Sequence, residues 1–377
     1  MFFTEQDELM LQASINIFSD MFYRLRKIKP SHAMKTLKDL DEETRKKYQR
    51  KDKKDTTLFD IIAEKSIGLG SDSFRGHHTF FEEAYGRPGL IITEECGKVG
   101  SHKIEPNTPV IISDPVDGSS KLEEIAKKYS RRCKTMGDAF DREREFLGDR
   151  ANLDACNSSV TLLKDNTIKY SIIMNLLTGK TYLASPQGVF SRNIRFIKSK
   201  KDFNKRVEFL SQDNSQTLFY NNGSKYDSNR LGTHLRFFPF VSEVVNPIGP
   251  MRFAYLIKEK KYNSGVGIIA HNGEKIQEIL PNIAVAFFSR GELTAYKLFC
   301  NQEYLEHRAG KILTPNIQNS LWDYGLIRSM GIKLTFLNNH EYPSEFRDTT
   351  IVCSSKNDWA QTMMAGMVQK GYAVQIV

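Results

Sequence analysis

The sequence predicts a mixed chain, α+β through its first half and α/β through its second, with sheets covered by helices. Three observations carry that expectation. Residues 5–29 place Leu9, Leu11, Ile15, Ile17, Phe18, Met21 and Phe22 along one helical face. The runs "GLIIT" at 89–93 and "VIIS" at 110–113 are short, branched and continuous, as buried strands tend to be. "SSVTLLKDNTIKYSIIMNLLTGKTYLAS" reads as a meander of three strands, with turn residues at 164–166 and 178–180 between them.

In chain order, a second helix is expected at 56–67 with Phe59, Ile62 and Ala63 inward. The segment 121–157 is highly charged and has no strand character. It reads as one or two exposed helices inserted beside the preceding turn, either as decoration or as a specificity cap. Farther on, "MRFAYLI", "IAVAFFS", "KLTFLN" and "TTIVCSS" read as strands or buried segments. "NSLWDYGLIRSMG" reads as a helix capped by Ser320 and stopped at Gly331.

At 377 residues, 40% of them hydrophobic and 26% charged, the chain can bury a large core. Its first twenty residues carry acids where an export signal carries lysines, and no run approaches the ~18 apolar residues of a spanning helix. A cytoplasmic protein with no membrane partner is expected. The five cysteines are scattered and never in C-x-x-C spacing, and no histidines stand in H-E-x-x-H spacing. Reduced thiols are therefore expected, and zinc or haem is not. The net charge of +9 includes dense basic runs at 45–54 and 195–206. Nucleic-acid binding is the sharp reading of those runs, but no recognised motif accompanies them. Solvated faces, or mild steering of an anionic substrate, explain them without such a partner.

Acids stand at the ends of elements: Glu94 and Glu95 after "GLIIT", Asp114 and Asp117 in "VIISDPVDGSS", and Asp323 in the first turn of the late helix. Two carboxylates about 4 Å apart repel by roughly 4 kcal/mol at an effective dielectric near 20. A divalent cation removes that penalty, and hard oxygen donors suit Mg²⁺. The "GSS" that follows places Gly118, Ser119 and Ser120 where a helix would begin, and exposed amides there suit phosphate.

"ITEECG", "DPVDGSSKL" and "NSLWDYGLIRSMG", in this order, resemble the three signatures of the inositol monophosphatase and fructose-1,6-bisphosphatase superfamily of Mg²⁺-dependent, lithium-sensitive phosphatases. "TLFDIIAE" at 57–64 looks like the family's early helix, and the meander looks like its central strands. The resemblance implies a layered αβαβα sandwich of the sugar phosphatase type with insertions. It divides into a metal- and phosphate-binding domain at 1–190 and a substrate domain at 191–377.

By the same resemblance Glu94, Asp114, the Val116 carbonyl, Asp117 and Asp323 would hold two or three Mg²⁺ ions, with Glu95 beside them. Gly118, Ser119 and Ser120 would cradle phosphate, and Ser119, assisted by Asp60, would orient the attacking water. The implied partner is a small phosphorylated substrate, an inositol or sugar phosphate, and dimers are common among relatives. A 3′(2′),5′-bisphosphate nucleotidase, a fructose-1,6-bisphosphatase, or an inactive relative that binds a protein are the alternatives. The chain departs from the pattern before Trp322: Pro250 stands where the family has a serine, and some seventy residues follow it. That leaves the substrate open.

Overall fold

The computed structural model describes residues 3–207 except 40–41, 43–55, 69, 72–73, 94–96, 101–106, 153–155 and 166. Beyond 207 it describes six strands and five helical residues. The chain divides into two compact units, Met1–Arg206 and Val207–Val377.

The first unit opens with α1 (Glu5–Lys27). Thr4 and Asp7 form a reciprocal capping box, acids fill the first turn and bases the last, so both ends suit the helix dipole. Its inward face runs from Met10 and Leu11 through Phe18, Met21 and Phe22 to Leu25, all at most 1% exposed. Leu9, expected on that face, is 42% exposed. It lies one position off the stripe, on the outer side of the turn. After the short α2 (Pro30–Ala33), Thr57 and Asp60 box the start of α3 (Leu58–Ile67). Phe59 and Ala63 are buried there as expected, and Ile62 is partly buried.

A small hairpin of β1 (Gly70–Ser71) and β2 (Phe74–Arg75) precedes α4 (His77–Tyr85), a helix the sequence reading did not foresee. Its first residue, His77, is fully buried. The Nδ1–H donates to the Ile67 carbonyl at 2.7 Å, which leaves Nε2 to accept the Ser14 hydroxyl at 2.7 Å. Ser14 lies 2.7 Å from the Tyr170 hydroxyl. This polar chain ties α1 and α4 to the sheet beneath.

That sheet is built from β3 (Leu90–Thr93), β4 (Gly97–Gly100), β5 (Val110–Asp117), β6 (Asn157–Lys164), β7 (Thr167–Asn175), β8 (Lys180–Ser185), β9 (Gly188–Asn193) and β10 (Lys205–Arg206). The order is β10-β9-β8-β7-β6-β5-β3-β4, antiparallel except for β3 beside β5. The predicted meander is β6, β7 and β8. Asp165 turns the first corner at φ 53° and Gly179 the second at φ 74°, left-handed values that Asp tolerates and Gly adopts freely.

Between β5 and β6 run α5 (Ser119–Tyr129) and α6 (Met136–Leu147). The expectation of exposed helices is corrected here. Leu122, Ile125 and Ala126 of α5 and Met136, Ala139 and Phe140 of α6 join the main core. The outer faces carry most of the charge; Glu143 of α6 is buried and accepts from Lys128 and Tyr129 of α5. Arg26 fastens α6 to α1: it donates to the Gly137 carbonyl at 3.0 Å, pairs with Asp141 at 2.7 Å, and lies over the Phe22 and Phe140 rings.

In the second unit, β11 (Thr217–Phe219), β12 (Glu243–Val245), β13 (Val266–Ala270), β14 (Thr294–Phe299), β15 (Thr349–Ser354) and β16 (Ala373–Ile376) form a sheet of order β12-β11-β13-β15-β14-β16. β11 pairs in parallel with both neighbours, and the other pairings are antiparallel. "TTIVCSS" is β15. Of "IAVAFFS", the described residues Ala284, Val285 and Phe288 are buried but helical. "MRFAYLI", "KLTFLN" and "NSLWDYGLIRSMG" lie outside the described residues.

Candidate active site

The parallel pair β3 and β5 runs out on one side of the sheet, with Thr93 opposite Ser113. β5 continues through both acids of "DPVD". In a regular strand, side chains three apart point to opposite faces. Here Asp114 pairs with Ser159 and Asp117 with Asn157, so three steps along β5 match two along β6. The extra residue is a β-bulge, and it resets the alternation so that Asp114 and Asp117 share a face. Pro115 lies inside the bulge. The Val116 amide donates to Asp114 Oδ1 at 3.1 Å, and the Ser113 hydroxyl donates to the Ser159 carbonyl at 2.6 Å, which pins the turn. Asp114 is 1% exposed.

Directly after Asp117 the chain turns at Gly118, φ 86° and ψ 31°, and α5 begins. A side chain there would be strained, and Gly118 itself offers no capping group. The amides of Lys121 and Leu122 reach the Gly118 carbonyl. Those of Ser119 and Ser120 belong to the first turn, which has no acceptors within the helix. Both serines are exposed.

Asp60 approaches from α3. Its Oδ2 accepts the Thr57 amide and hydroxyl, each at 2.8 Å, so it serves as the capping acid while being almost wholly buried. Cys156, at the foot of β6, links it to the rest. Its thiol donates to the Gly118 carbonyl at 3.2 Å. Burial first, and then the negative charge of Asp117 and Asp60, push that thiol well above the usual range, with Lys121 acting in the opposite sense. The Gly118 carbonyl touches this buried sulfur, and Asp117, Lys121 and Asp60 act on it through their charge.

Two of these neighbours were missed from sequence. Cys156 carries no sequence signal. Glu64 does: it lies four residues after Asp60, hence on the same face of α3, and it is buried and accepts a hydrogen bond from Thr93 at the end of β3. Glu94, Glu95 and Asp323 lie outside the described residues. Among the described residues no three acidic, His or Cys side chains gather into one metal site. Among the described residues the candidate oxygen donors are Asp114, the Val116 carbonyl and Asp117. Hard oxygens of this kind on one face fit a hard divalent cation.

No family model matches the chain, and no curated protein matches it. Solved structures do. The extragenic suppressor protein suhB from Bartonella henselae superposes with a TM-score of 0.51 at 11% identity, over 96% of this chain and 98% of that one. An IMPase from Thermotoga maritima superposes with a TM-score of 0.49 at 10% identity, over 95% and 96%. At such identities the likeness is one of fold alone, and by that measure the chain shares the mixed α+β fold of the suhB structure.

Proposed function

We propose that the chain is a Mg²⁺-dependent phosphomonoesterase acting on a small phosphorylated polyol or sugar. One observation carries the reading: the bulge in β5 turns two carboxylates onto one face immediately before an uncapped helix start that opens on solvent. Asp114, the Val116 carbonyl and Asp117 would hold the cation, joined by Glu94 and Asp323, with Glu95 beside them. Bound there, Mg²⁺ would offset the repulsion between the carboxylates and supply Lewis acidity.

The chain's own groups do the rest. The amides of Gly118, Ser119 and Ser120 bind phosphate oxygens at the positive end of the α5 dipole. The Ser119 hydroxyl orients water for in-line attack, and Asp60 supports Ser119 from α3. No side chain becomes phosphorylated. A reducing, cytoplasmic setting belongs to the same reading.

The test is release of inorganic phosphate from a panel of sugar, inositol and nucleotide phosphates, with Mg²⁺ and with chelator. Activity should require Mg²⁺ and fall roughly 100-fold or more in Asp117→Asn. Equal turnover in chelator would overturn the reading.

A further inference from the structure

The edge of the first unit's sheet carries a feature that ester hydrolysis does not use. Residues 192–206 contain seven basic residues and one acid, Asp202. That acid accepts the amides of Lys198 and Ser199 at 2.8 and 2.9 Å, so it is engaged in its own turn. Arg195 pairs with Asp141 at 3.7 Å and Lys200 with Glu8 at 2.9 Å. Lys198, Lys201 and Arg206 are exposed and make no ion pair among the described residues.

Amid these cations Phe196 stands 64% exposed on a short 3₁₀ turn. Beside them, against α1, an open groove of about 800 Å³ has Leu9, Phe190 and Phe203 among its apolar lining and Lys200, Lys201 and Glu8, the partner of Lys200, among its polar lining. Leu9 is the side chain displaced from the core stripe of α1.

We propose that this edge docks on an anionic lipid bilayer surface, with Phe196 entering the headgroup layer and the lysines facing the lipid charge. Lysines carry compact point charges that suit a diffuse negative field, whereas planar guanidinium forks suit specific phosphates and bases. A single-stranded nucleic acid would need several exposed aromatic faces in succession, and of the three phenylalanines here Phe196 is exposed while Phe203 is buried and Phe190 partly so. The groove puts apolar surface directly against cationic surface, the pattern of a lipid rather than of a phosphodiester chain. No membrane partner is expected from the sequence because no spanning segment is present; a surface contact requires none. β9 and β10 lie four and five strands from β5, about 20–25 Å across the sheet, so docking leaves the candidate active site uncovered. The inference does not depend on the proposed activity.

The test is sedimentation of the full chain with vesicles of phosphatidylcholine alone or with about 30 mol% phosphatidylserine. Binding is expected only to the mixed vesicles, and it should disappear near 0.5 M salt as the ~10 Å screening length at 0.1 M shortens. Lys198→Glu with Lys201→Glu should weaken it at least tenfold, and Phe196→Ser roughly threefold to tenfold. An unchanged Tm shows that the variants are folded. Should Phe196→Ser lower it, the two lysine changes, at exposed positions, decide alone. Binding to neither vesicle, equal binding to both, or unaltered binding by the lysine variant overturns the proposal. So does retention of single-stranded RNA or polyglutamate through these residues without vesicle binding.

Discussion

α1, α3 and α6 begin in the same way: a threonine caps the helix and an aspartate three residues on returns the hydrogen bond, through Thr4–Asp7, Thr57–Asp60 and Thr135–Asp138. α5 begins otherwise, at a left-handed glycine, with no side-chain cap and with Lys121 in its first turn. Where a fold closes its helix starts, first-turn amides are already satisfied. Where it leaves one open beside two acids, an incoming anion can satisfy them. An absent cap alone does not make a site, however. α4 also starts at an uncapped glycine, Gly76, but buried His77 follows it, whereas exposed Ser119 follows Gly118.

That comparison can be tested at each start. The largest effect on stability is expected at α4. Burial pushes the His77 imidazole down to about 4, against a weaker upward pull from its hydrogen bond to Ile67. The unfolded chain regains the ordinary value of about 6.5, so between those pH values it binds more protons than the native state. Stability should be complete above pH ~6.5 and fall by about 3 kcal/mol as pH drops to about 4. Denaturant midpoints against pH measure this, and the slope should largely vanish in His77→Gln. A flat wild-type profile would show that the histidine is not held neutral.

Next comes Gly118→Ala, which forces a side chain into a left-handed turn at about 1–2 kcal/mol. Its informative readout is activity, expected to fall more than stability because the first-turn amides shift with the backbone. Smallest are the closed starts. Thr57→Ala and Thr135→Ala should each lose about 1 kcal/mol of stability. Only Thr57→Ala should also reduce phosphate release, since it frees Asp60 beside the site while Thr135 caps a helix elsewhere. Equal activity in the two would separate Asp60 from the chemistry.

The parts of this picture that depend on local chemistry are legible in the residues. Thr57 and Asp60 announce a helix start, and "KDN" and "TGK" announce the corners of the meander. What escapes a linear reading is what pairing decides. The sequence already presents Asp114 and Asp117 as one pair around Pro115, but it hides the means. Residues three apart in a regular strand point to opposite faces, and the register against Ser159 and Asn157 reveals the bulge that unites them. The charge of 121–157 hides apolar positions at helical spacing, Leu122, Ile125 and Ala126, then Met136, Ala139 and Phe140. Counting charge without assigning faces made core helices look exposed. Glu64 is legible in part: its spacing from Asp60 places it on the same face of α3, and its burial against Thr93 then sets it apart.

The Arg26 clamp on α6 bears on how the proposed activity could acquire a new ester preference. A flap hinged at its two ends can be trimmed or exchanged between relatives with little harm. A helix pair that the Arg26 guanidinium of α1 grips at Gly137, Asp141 and Phe140, and whose apolar faces join the main core, cannot be removed without opening that core. Any retuning through this pair would have to proceed one surface residue at a time, along its solvent rim.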